Sequence, residues 1–399
     1  MKKYKLLIAF FMMSYLAAHA QPAVFSINAK ALEKNKKRIA KRDVSVKLAY
    51  EKLLSDADKA MEFDAVSVME KKNNPPSGDK HDYMSLAPYF WPNPATKDGL
   101  PYIRKDGETN PEVKDYKDKE YMPKLCEVVN TLGLAYYFSG DNKYAEHAGK
   151  LLRVWFLDPA TKMNPNLNYA QAIKGTNDGR GAGLIDSRHF IKLIDGIGLL
   201  NGSKDWTADN QAGMKQWFAA YLNWLQTSKN GMDEMHAKNN HGDWYDAQRL
   251  SMALFTGDTE LAKKIVLNAE SRLDKQMDSA GFFPLEMERT TSLHYSVFAI
   301  EAFINIAQMA EQVDINFWKY TSSSGHSLKR AFDIMYPYLT EEKEWTGPQI
   351  KKYEREESIL LLAAGKKKFG CNRCTGIMNS IIGDGYYSLR TRLLTDIDF

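Results

Sequence analysis

A repeated turn constrains this chain more than any other feature. Ser139-Gly140-Asp141, with Ala145 four residues on, matches Thr256-Gly257-Asp258, with Ala262 four residues on. Before the first turn, Leu125, Val128, Val129, Leu132, Ala135 and Tyr136 recur at helical spacing, and Tyr144, Ala148, Leu151, Leu152 and Trp155 continue it afterwards. The pattern predicts two helices joined by a tight turn, each with one apolar stripe. Around the second turn, Trp244, Ala247, Ser251, Leu254 and Phe255 precede a helix expected from about Thr259 to Met277. A third unit runs from Ile191 to Leu200, turns at Asn201-Gly202-Ser203 and continues from Trp206 to Leu225. Such a hairpin buries its stripes only against a neighbour, so recurrence predicts an all-α solenoid or closed α/α toroid. Strand-like alternation shows only near the C-terminus, from Tyr386 to Leu394.

The N-terminus reads as a signal peptide. Lys2, Lys3 and Lys5 precede an apolar run from Leu6 to Leu16, and Ala18-His19-Ala20 is a small-x-small cleavage site. Residues 1–20 are expected to leave, with 21–399 forming a single exported domain, periplasmic or secreted. No Cys follows the site to carry a lipid, and no later stretch approaches the roughly 20 apolar residues of a membrane span. Lys and Arg number 54 against 50 Asp and Glu. Three of those Lys lie in the leader, so the remainder nearly balances and predicts neither nucleic-acid nor membrane binding. An anionic ligand would need a local cationic patch. Cys371-Asn372-Arg373-Cys374 is either a local disulfide or two free thiols. A redox site there lacks the βαβ context it needs.

Three segments interrupt the helical pattern with polar and aromatic residues. Lys238-Asn239-Asn240-His241-Gly242-Asp243-Trp244 places two amides and an imidazole at a helix start, where a plain cap would need only one Asn. Glu288-Arg289-Thr290-Thr291-Ser292-Leu293-His294-Tyr295 puts Arg, His and Tyr at another, with Thr291 or Ser292 as cap. The bland reading is a core Tyr with a satisfied hydroxyl and an Arg in a surface ion pair. The third, His81 to Pro92, sets Tyr83, Tyr89, Phe90 and Trp91 among prolines within a long irregular stretch, 70–115. It is either a sugar-stacking surface or a plug over the helices. Gly179-Arg180-Gly181-Ala182-Gly183 superficially resembles a nucleotide loop, but no strand precedes it and no GK[ST] is present. Arg188 and His189, just beyond it, are candidates to line a cleft.

Asn239-Asn240-His241-x-x-Trp244, the Arg289 to Tyr295 pair and the loop Tyr83-Met84-Ser85-Leu86-Ala87-Pro88-Tyr89-Phe90-Trp91-Pro92 resemble the alginate lyase domain superfamily. The pattern is most similar to polysaccharide lyase family 38, over roughly residues 60–370. The resemblance implies an (α/α) toroid of about six to seven hairpins with the long loop over its cleft. It implies β-elimination on alginate or a related polyuronate such as glucuronan, and no redox cofactor. By the same resemblance Tyr295, His241, Asn240, Arg289 and His189 are catalytic, although Arg289 and Tyr295 stand six residues apart where related lyases often have seven. Asn239, Arg188, His294, Tyr89, Trp91, Tyr83 and Trp244 are expected to contact the sugar chain, and the protein to act as a monomer. No Asp/Glu cluster marks a metal site, so side chains are expected to balance the substrate carboxylate.

Two rivals use the same scaffold. A glycoside hydrolase needs two carboxylic acids about 5–10 Å apart, for which Asp186, Glu286 and Glu288 are candidates. A non-catalytic glycan-binding protein would keep the aromatic loop but would not need Tyr295 beside His and Arg.

Overall fold

The computed structural model describes residues 21–395. The expected leader, residues 1–20, lies outside the described residues. In chain order the helices are α1 (Ala29–Ala40), α2 (Val44–Ala60), α3 (Lys117–Ser139), α4 (Asn142–Leu152), α5 (Phe190–Leu199), α6 (Ala208–Thr227), α7 (Lys229–Met235) and α8 (Asn240–Thr256). They continue with α9 (Thr259–Gln276), α10 (Pro284–Met287), α11 (Ser292–Ala310), α12 (Leu328–Leu339), α13 (Ile359–Lys368), α14 (Cys374–Ile382) and α15 (Thr391–Leu394).

The repeated turn does what its residues dictate. Gly140 and Gly257 end α3 and α8 in the left-handed region, φ 74° and 91°, which glycine adopts without a Cβ clash. Asp141 and Asp258 then cap the next helices by accepting from the backbone N–H of Lys143 and Leu261. In each hairpin one helix turns inward. Every residue of α8 is buried except His241 and Thr256, whereas α9 buries a single stripe, Ala262, Ile265, Val266, Ala269 and Leu273. The third hairpin forms too, and a cluster of Phe156, Phe190, Trp217, Phe218 and Tyr221 ties α6 to the start of α5.

Packing runs from α2 to α3, α5, α8, α11 and α13, and then through α14 and residues 383–388 back to α2. This circuit is the (α/α) toroid. Its tightest crossing is α3 on α5: a Cβ at Gly133 would stand 2.7 Å from the Gly196 carbonyl. The C-terminal alternation does not make a strand. Gly383–Ser388 is a 3-10 turn followed by α15, with Tyr386 buried in the main core and Leu393 in the smaller cluster beside α1 and α2. Cys371 and Cys374 are disulfide-bonded at the start of α14, and Cys126 is buried as a free thiol.

The 70–115 stretch lies over one rim. Within it β1 (Met84–Leu86) pairs in parallel with β4 (Tyr169–Ala172), and β2 (Phe90–Trp91) pairs antiparallel with β3 (Ile103–Arg104). The second pairing sets Phe90 opposite Arg104, at the rim where α8 and α11 begin. No helix among the described residues is long and apolar enough to cross a membrane.

Candidate active site

A cleft of about 620 Å³ opens where the N-termini of α8 and α11 meet the Pro88–Arg104 segment. Asn239, Asn240, His241, Arg289, His294, Tyr295, Tyr89 and Arg188 all line it, so eight of the residues singled out in the sequence converge.

Asn240 and His241 open α8 and are tied from behind. The backbone N–H of Asn240 donates to Glu286 at 2.6 Å, and its Nδ2 donates to the other carboxylate oxygen at 2.8 Å. Asn239, the cap residue, makes no side-chain cap bond, which leaves its amide to the cleft. Nδ1 of His241 lies 2.7 Å from Glu234, a buried residue of α7. A carboxylate only accepts, so Nδ1 carries the proton, and in the neutral ring Nε2 keeps its lone pair.

Tyr295 stands in the first turn of α11, its hydroxyl 2.8 Å from that of Tyr89. Burial pushes the phenol pKa well up and Tyr89 adds to this, while Arg289 works against both. At neutral pH Tyr295 is therefore a protonated phenol. The Arg289 guanidinium lies 3.5 Å from the Tyr295 ring centroid, and Asp106 holds its fork through Nε at 3.0 Å and Nη2 at 2.7 Å. Arg289 is thus neither free nor a surface pair. Its charge is partly balanced by Asp106, and its plane is spent on orienting Tyr295. Neither Thr291 nor Ser292 caps α11 through its side chain; the Ser292 hydroxyl donates to the Pro348 carbonyl instead.

Five cationic side chains, Arg104, Lys119, Arg180, Arg188 and Arg289, face two carboxylates, Asp186 and Glu288. This is the local patch that a nearly neutral chain needs to hold an anion. Asp186 is fully committed, accepting from Lys119, Gln171, Ser85 and Tyr83. Arg180 and Arg188 differ from the other cations: among the described residues no carboxylate lies within 4 Å of either. Arg180 donates to Gln171 at 2.9 Å and covers the Phe90 ring, while Arg188 covers Phe298.

Four expected contacts lie outside the cleft lining. Tyr83 is fully buried with its hydroxyl on Asp186, so at that position the loop acts as a plug. Trp91 donates to the Glu108 carbonyl beneath Lys105. Trp244 packs on Phe298 and donates to its carbonyl, binding α8 to α11. His189 ends the 3-10 turn Gly181–His189, and burial, with Arg188 and Lys192 beside it, lowers its pKa to about 3. It stays neutral and away from the cleft lining. Of the acids considered for hydrolysis, Asp186 and Glu286 are occupied as structural acceptors, leaving Glu288 alone at the cleft surface.

Residues missed in the sequence are mostly partners of those found: Glu234, Asp106, Lys119 and Gln171, together with Arg104 and Arg180; the sequence presents Glu286 only as a hydrolytic acid, not as the partner of Asn240. Arg180 carried a signal, a cation set between two glycines, which was read only against nucleotide binding.

Two turns along α11, Glu301 shows a cost of building this site. Burial, and next the nearby Glu357, raises its pKa to about 7, against Lys192 and Arg188. A raised carboxyl contributes most to stability below its unfolded value, and the contribution is lost as pH rises through the folded value. Glu301→Gln is therefore expected to stabilise the protein by about 1–3 kcal/mol at pH 8 and by almost nothing at pH 4, below the unfolded value. Melting curves at the two pH values check this, and an equal shift at both would refute it.

A family model described as alginate lyase matches residues 67–345. The fold superposes on an alginate lyase from Bacteroides ovatus with a TM-score of 0.88 and 39% identity, over 93% of this chain and 98% of that one. Alginate lyase A1-III from Sphingomonas species A1 shares the fold at 16% identity and TM-score 0.57, over 94% and 97% of the two chains. A structure of alginate lyase A1-III complexed with a tetrasaccharide gives TM-score 0.61 at 16% identity, over 96% and 98%. No curated protein sequence matches significantly. The span of the family model and the 39% identity along nearly the whole chain place this protein in the alginate lyase family.

Proposed function

We propose that this chain is a polysaccharide lyase that cleaves alginate by β-elimination to give unsaturated oligosaccharides. The observation that carries the reading is the convergence of Tyr295, His241, Asn240 and Arg289 on one cleft whose cations outnumber its carboxylates.

The chemistry follows from the donor set. A base removes the proton at C5 of a uronate, the C4–C5 double bond forms, the bond from C4 to the glycosidic oxygen breaks, and that oxygen takes a proton. No water is consumed. Charge develops on the uronate carboxylate, and preorganised donors there lower the barrier. Asn239, Asn240 and His241 supply those donors at the α8 start. Arg180 and Arg188, without carboxylate partners of their own, hold the carboxylates of adjoining sugars. Tyr295, a protonated phenol at rest, hands its proton to the leaving oxygen. When the C5 proton lies on the opposite face, the lone pair on Nε2 of His241 is the base. When it lies on the same face, the Tyr295 oxygen serves both transfers, once the resting phenol has first lost its proton to solvent, a loss that Arg289 eases against burial and Tyr89. The reading includes export, on the leader pattern of residues 1–20, and a monomeric catalytic domain from Gln21.

The test is the product. Purified protein incubated with polymannuronate, polyguluronate and glucuronan should generate ultraviolet-absorbing unsaturated ends on at least one alginate block as chain length falls. Chain shortening without that absorbance would mean hydrolysis and end the proposal.

A further inference from the structure

The cleft is not the only cationic cavity on this rim. A groove of about 700 Å³ lies between the start of α8, the end of α9 and α10, with Leu285 a wall of both cavities. The two are also joined through the backbone: Gln276, in the groove, donates to the carbonyl of Asn239, in the cleft.

Lys238, Arg249, Arg272 and Lys275 line the groove, against Asp246 as its one carboxylate. Arg272 is fixed, donating to Asp246 and to the Ala237 and Met235 carbonyls. Arg249 is more than nine-tenths buried; its Nη2 donates to Gln226 at 3.0 Å and its Nη1 lies 3.7 Å from Asp246, while its Nε has no hydrogen-bond partner among the described residues. Lys238 and Lys275 are exposed and no carboxylate among the described residues pairs with either. Pro284 and Leu285 add an apolar wall. A run of cations on an apolar wall, sharing Leu285 with the cleft proposed above for a uronate chain, has the chemistry to hold more of the same chain.

We propose that this groove is a distal binding site for a polyuronate, taking the part of a long substrate that leaves the cleft over Leu285. The proposal rests on the lyase reading above and adds a prediction about chain length. Carboxylates of the outlying sugars pair with Lys238 and Lys275, and the sugar faces lie against Pro284 and Leu285. Short oligomers fill the cleft and never reach the groove.

The test is Lys238→Ala/Lys275→Ala, which removes two exposed charges and leaves the cleft lining intact. KM for polymeric alginate should rise about three- to tenfold at low salt, because each exposed pair contributes modestly. The difference should shrink at high salt, and KM for the shortest cleaved oligomer should stay within twofold. Unchanged polymer KM, or an equal loss on polymer and short oligomer, overturns the groove. Direct binding of polymeric alginate by the same proteins separates this failure from that of the enzymatic reading. Polymer affinity that falls in the double variant, with no unsaturated product from either protein, keeps the groove and refutes the lyase. Equal affinity in both proteins refutes the groove whatever the product.

Discussion

Tyr295→Phe is expected to lower kcat on alginate by roughly a hundred- to ten-thousandfold while KM moves only a few-fold, the range for losing a positioned proton donor. The substitution removes one oxygen and keeps the ring, so the stack beneath Arg289 and the edge contact with Phe298 survive. Tyr89 then loses its partner at 2.8 Å, but it faces the cleft, where water or sugar hydroxyls replace it. Under the proposed reading binding falls to Arg180, Arg188 and the α8 start, none of which touches the missing hydroxyl. A catalytic role thus predicts a kcat defect without a matching KM defect. Stopped assays with saturating polymer would read it. A variant with near-normal kcat would remove Tyr295 from the chemistry and leave the cleft without its proton donor.

What the sequence made legible, and what it hid, follows from the range of the interactions. The hairpins could be read because a stripe, a glycine and a capping Asp all lie within a few residues of one another, as at Phe138–Asp141 and Phe255–Asp258. Asn240, His241 and Tyr295 could be read because each sits at a helix start among more polar and aromatic residues than a plain cap needs. Their partners could not. Arg289 meets Asp106 across 183 residues, and Asn240 meets Glu286 across 46, with no local pattern linking either pair. The aromatic loop was ambiguous for a different reason. Tyr89 and Phe90 face the cleft while Tyr83 and Trp91 do not, and what separates them is the pairing of β2 with β3 and of β1 with β4, not composition. At the C-terminus, the period of two over Tyr386–Leu394 makes no strand, because the segment packs against α1 and α2 rather than into a sheet.

The second large effect is expected at a residue that never touches substrate. Glu286 is 1% exposed and accepts two bonds from Asn240, one from the backbone N–H and one from Nδ2. Accepting on both oxygens favours the ionised carboxylate, in a place where burial raises the pKa and the two Asn240 bonds, then Arg289 and His241, lower it only in part. Asp243, fully buried nearby, has its own pKa raised well above the usual range, first by burial, with Glu286 adding to the rise. Glu286→Gln keeps the shape but turns one of the two contacts into donor against donor. An unmade bond in a buried site costs about 1–3 kcal/mol, and a displacement of Asn240 by a fraction of an ångström spoils the donor geometry at the developing charge. We expect kcat to fall about ten- to a hundredfold. Glu286→Gln should also flatten whatever part of the acid limb of the pH–kcat profile comes from protonating this carboxyl. A purely structural role would lower the melting temperature and leave both kcat and that limb as in the parent protein, and that result would return Asn240 to being an ordinary helix-start residue.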